Sequence, residues 1–99
     1  MRGNKRVDFK VLRQRIPIEH VLDMLGIQLK KRGAQLRGSC PICSHDSERC
    51  FVVTPTLNRF WCFGHCQNGG DVIELVSQVK QVPRKAAALL LADHFREPP

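Results

Sequence analysis

Five cysteines fall within one stretch of the chain. Cys40-Pro41-Ile42-Cys43 stands at its start, Cys50 inside it, and Cys62-Phe63-Gly64-His65-Cys66 at its end. Closely spaced pairs of soft ligands are the chemistry of a zinc ion. Two ligands two residues apart share one turn of backbone, and a second pair from a distant segment completes the tetrahedron. Eighteen residues separate Cys43 from Cys62, enough for one β-hairpin. Gly38, Pro41 and Gly64 suit tight turns that carry backbone N–H groups towards sulfur. Four protein ligands leave no open position for substrate, so the expectation is one structural zinc. Cys40, Cys43 and Cys62 supply three ligands. The fourth is open between His65, at a two-residue gap, and Cys66, at a three-residue gap. Cys50 reads as a structural cysteine and His45 as an outside candidate, while His20 and His94 fall on expected helices away from the cluster.

A thioredoxin-like redox pair is the competing chemistry for Cys40 and Cys43, but that motif belongs to a βαβ unit. Here a second cysteine pair follows an expected hairpin. Residues 8–16 place Phe9, Leu12 and Ile16 at helical spacing, with Asp8 as N-cap. Pro17 suits the first turn of a second helix and Gly26 its stop, with Ile18, Val21, Leu22 and Leu25 as the apolar stripe between them. From Ile27 the period changes to two, and a first hairpin turns around Gly33. A second hairpin runs out through Phe51–Thr54, turns over residues 55–58 and returns through Arg59–Cys62. Alternation puts Phe60 and Cys62 on one face and Arg59 and Trp61 on the other. Asp71 can cap a helix burying Val72, Leu75, Val76 and Val79, and Pro83 opens a last helix.

The expected class is α+β: a small antiparallel sheet of zinc-ribbon-like hairpins with N-terminal and C-terminal helices around the zinc site. Ninety-nine residues make one small domain, spanning 8–95 between a basic flexible tail at 1–7 and a C-terminal tail at 96–99. Aromatic residues are 6% of the chain and tyrosine is absent, so the core is modest and a metal is a natural fastener. No run reaches the roughly 18 apolar residues of a membrane span, and none reads as a signal peptide. The expectation is therefore a cytoplasmic chain with reduced thiols and no membrane partner. The formal net charge of +7 points to a polyanion, most often nucleic acid.

At this point the sequence resembles the zinc-binding domain of DnaG-type bacterial DNA primases, the CHC2 zinc-finger family. That family's first knuckle, C-P-x-H followed by a polar run and S-F-x-V, is matched by CPIC and Phe51-Val52-Val53. Its second knuckle is matched by FWCFGHCQNGGDVIELV, and IPIEHVLDMLGIQLKKRGAQLRGSC is similar to the segment upstream. The likeness covers about residues 16–95. Two departures stand out: Cys43 replaces a histidine, and one extra residue lies between Cys62 and Gly69-Gly70-Asp71. Placing that extra residue at His65 aligns Cys66 with the family's last cysteine, which favours Cys66 as the fourth ligand. Zinc bound to finger peptides contributes on the order of 10–16 kcal/mol of folding energy, so the metal-free form should be largely unfolded.

The resemblance implies a DNA-binding module that engages single-stranded template during primer synthesis. In such primases catalysis belongs to a separate TOPRIM domain. Nine scattered acidic residues offer no carboxylate cluster to replace it, so this stretch should not polymerise nucleotides alone. A separately encoded primase polymerase domain or helicase is the expected protein partner. The residues point the same way: single strands are held by a basic groove with aromatic platforms. Arg59 and Trp61 on the second hairpin, with Lys30, Lys31, Arg32 and Arg37 from the first, are the candidate DNA-binding residues. The alternative is a zinc-stabilised adaptor whose apolar helices at 71–95 dock a replication or mobile-element partner. An enzyme with catalytic zinc is the third reading, disfavoured by four protein ligands.

Overall fold

Apolar residues at helical spacing near the amino terminus become α1 (Phe9–Arg15) and α2 (Ile18–Leu25). The computed structural model describes residues 9–43 and 49–95, so the expected Asp8 cap, the candidate His45 and both terminal tails lie outside the described residues. Pro17 sits one place earlier than expected, at the N-cap of α2, where it offers no side-chain hydrogen bond. Gly26 closes α2 in the left-handed region at φ 74°. The Gly26 and Ile27 amides return to Asp23 and Leu22 carbonyls at 3.1 and 2.9 Å, the two-bond closure that glycine permits. That closure draws Ile27 towards the core, so the first strand begins at Lys30 and not at Ile27.

The sheet has five strands in sequence order: β1 (Lys30–Arg32), β2 (Gln35–Gly38), β3 (Phe51–Thr54), β4 (Arg59–Cys62) and β5 (Gly69–Gly70). All pairings are antiparallel. The sequence pattern does not reveal β5, because two glycines carry no alternation. Its edge position depends on them: a Cβ on Gly69 would lie 1.9 Å from the Phe60 carbonyl oxygen. Two helices follow, α3 (Val72–Lys80) and α4 (Arg84–His94). Asp71 caps α3 as expected, accepting from the Glu74 amide at 2.9 Å.

The core lies on one face of the sheet. Phe51, Val53, Phe60 and Cys62 point inward and meet Ile18, Val21 and Leu22 of α2, Val72, Ile73, Leu75 and Val76 of α3, and Ala87, Ala88 and Leu91 of α4. The alternation of β4, exposed and buried in turn, is the one its sequence implies. No helix is long and apolar enough to cross a membrane among the described residues.

Candidate zinc centre and the sheet face beside it

Strand register creates the metal cluster. Gly38, Phe51 and Cys62 stand side by side across β2, β3 and β4, so the chain leaving β2 delivers Cys40 and Cys43 to the end of β4. The loop after β4 folds back to bring Cys66. The four sulfurs of Cys40, Cys43, Cys62 and Cys66 all lie within 4.8 Å of one another. Cys40 and Cys66 sulfurs are 3.8 Å apart, and those of Cys43 and Cys62 are 3.7 Å apart. A Zn–S bond of about 2.3 Å implies a tetrahedral edge of about 3.8 Å, so this donor set fits one structural zinc. His65 is exposed and outside the group.

Backbone amides turn towards the sulfurs. Ile42 and Cys43 N–H groups point at Cys40 Sγ from 3.3 and 3.5 Å, and Gly64 N–H points at Cys62 Sγ from 3.2 Å. Such donors stabilise negative sulfur. Without a metal, burial prevails and pushes the Cys40 thiol up to about 11. Burial and the neighbouring thiols push Cys66 higher still. A cation is what this pocket needs to hold thiolates. Cys50 is buried at 5% exposure just before β3, in keeping with a structural role. His20 and His94 pack near Phe95, away from the cluster.

The second hairpin is fastened at its other end too. Asn58, in the β3–β4 turn at φ 56°, accepts from the Ile18 amide at 2.6 Å. It donates to the Ile16 and Arg13 carbonyls at 2.8 and 3.0 Å. The first orphan amide of α2, which Pro17 cannot cap, is thereby satisfied from forty residues away.

Between these two fastenings lies the face of the sheet opposite the helical core. Register places Lys30, Arg37, Val52, Trp61 and Gly69 in one row. Arg32 with Gln35, and Thr54 with Arg59, form the next. Five of the six expected DNA-binding residues therefore share this face: Lys30, Arg32, Arg37, Arg59 and Trp61. Lys31 pairs with Leu36 and alternates to the other face, although every residue of β1 is exposed. Trp61 is 43% exposed. Phe63, missed in the sequence because it follows the last strand residue, is 60% exposed, its ring 6.2 Å from Trp61 at 63°.

Comparison with known proteins agrees with a zinc centre. The chain is 37% identical over 89 residues to a DNA primase of Mycobacterium leprae, covering 89% of this chain and 13% of that protein. It is 36% identical over 88 residues to a DNA primase of Aquifex aeolicus, covering 89% of this chain and 17% of that one. The crystal structure of the Aquifex aeolicus primase zinc-binding and RNA polymerase domains superposes with a TM-score of 0.80 at 33% identity, over 95% of this chain and 23% of that one. The chain thus spans less than a fifth of these curated relatives. Residues 4–97 match the CHC2 zinc finger, and the chain belongs to that family.

Proposed function

We propose that this chain is a zinc-dependent module that binds single-stranded DNA in replication primer synthesis. Its zinc is held by Cys40, Cys43, Cys62 and Cys66. The observation that carries the reading is the sheet face opposite the helical core, where four basic side chains flank the exposed Trp61. Basic groups neutralise phosphates and an exposed indole stacks on a base of any kind, contributing about 1–3 kcal/mol per base. The zinc cluster and Asn58 hold the two ends of the hairpin that displays Arg59 and Trp61. Similarity to DNA primases supports the replication setting and a cytoplasmic location. Polymerisation falls to a primase polymerase domain, and that domain or a helicase is the partner.

Fluorescence anisotropy with labelled single strands, measured across salt concentrations, tests this. Binding should weaken steeply with salt, since each neutralised phosphate releases counterions. Absence of binding at low salt with zinc loaded would sink the proposal. One observation favours the adaptor reading: Leu89 and Leu90 on α4 are 45% and 44% exposed. That reading expects salt-insensitive association with a protein and no effect of Trp61→Ala.

A further inference from the structure

The sheet face opposite the helices contains a hollow of about 270 Å³, lined by Gln35, Arg37, Thr54, Arg59, Trp61 and Phe63 and floored by the buried Val52. We infer that this hollow takes one nucleobase and that Gln35 reads its edge, with adenine as the preferred base. This rests on the single-strand reading above and adds a specificity-determining residue to it.

The Gln35 amide is oriented on both sides. Its carbonyl oxygen accepts from the Arg37 guanidinium at 3.2 Å, and its nitrogen donates to Thr54 Oγ1 at 3.4 Å. A primary amide has two N–H donors and an oxygen with two lone pairs. After these two bonds, one donor and one acceptor remain on the same amide. That pair complements adenine, which presents the N6 amino donor beside the N7 acceptor. Trp61 and Phe63, inclined at 63°, form two walls of a corner. A base stacked on one ring meets the other edge-on. Arg37 and Arg59 line the same hollow, where they can take the phosphates on either side of the seated base. A purely structural Gln35 would only bridge β2 to β3, and would show no dependence on base identity.

The test uses the full zinc-loaded chain and oligo-dT strands carrying one adenine, cytosine or guanine at successive positions. Binding should favour adenine at one position by about tenfold over thymine, the discrimination of a bidentate base contact. Gln35→Ala should abolish that preference, so that adenine-bearing strands bind no better than oligo-dT. Gln35→Glu keeps the size but offers only acceptors, and should lose adenine in favour of cytosine. Zinc content and circular dichroism confirm that each variant is folded. Equal binding of all strands by the native chain, or a uniform loss in both variants, overturns the base-reading role while the single-strand reading stands. If no strand binds at low salt, the single-strand reading fails first.

Discussion

Asn58 Oδ1 accepts the Ile18 amide at 2.6 Å, so a turn between two strands caps a helix forty residues earlier in the chain. The same side chain donates to two carbonyls at the α1–α2 junction. Helix caps and part-buried hydrogen bonds each contribute about 1 kcal/mol. Asn58→Ala should therefore destabilise the zinc-loaded protein by about 2–3 kcal/mol in urea unfolding. Asn58→Gly, which keeps the left-handed backbone without strain, isolates the hydrogen bonds and should lose slightly less.

Ligand identity separates two adjacent residues. Cys66→Ser should lose most bound zinc and with it the cooperative fold, because binding energy at such sites is folding energy. His65→Ala should keep a full equivalent of zinc. Metal analysis after dialysis, with cobalt absorption as a second readout, checks both.

Without a metal the Cys40 and Cys66 thiols keep their protons at pH 7, since burial raises Cys40 to about 11 and pushes Cys66 further. Zinc binding must expel those protons, so affinity should fall as pH is lowered and rise as pH approaches the thiol range. Calorimetry in buffers of different ionisation enthalpy should show protons released as zinc binds. A pH-independent affinity would contradict an all-thiolate site.

Gly69 lies against β4 with no room for a methyl group. Gly69→Ala should cost about 3 kcal/mol through backbone displacement. It should also disturb the row in which Gly69 stands beside Trp61.

Charge and register together rank the basic residues. Arg59→Ala should lower the salt slope of DNA binding by about 1, as expected for one lost phosphate contact. Lys31→Ala, on the other face, should change the slope much less.

The clustering of Cys40, Cys43 and Cys62 was legible because metal coordination fixes residue type and spacing, whereas spacing left the fourth place open between His65 and Cys66 and the family resemblance favoured Cys66. The faces of β3 and β4 were legible because a half-buried strand alternates with period two. Three features were not. Strand β5 has no side chains to alternate. Asn58 reads in sequence as an ordinary turn residue, and its partners are forty residues away. The β1 boundary shifted because the α2 closure drew Ile27 off the ladder, a tertiary effect that no local pattern contains.

Trp61 is the only tryptophan in the chain and stands at the centre of the proposed binding face. Its fluorescence is therefore the most direct probe of that face. Titrating the zinc-loaded protein with oligo-dT at low salt should quench Trp61 emission saturably, with the signal lost on raising salt and absent after zinc removal. Binding detected by anisotropy without any change in Trp61 emission would place the DNA elsewhere and contradict the account.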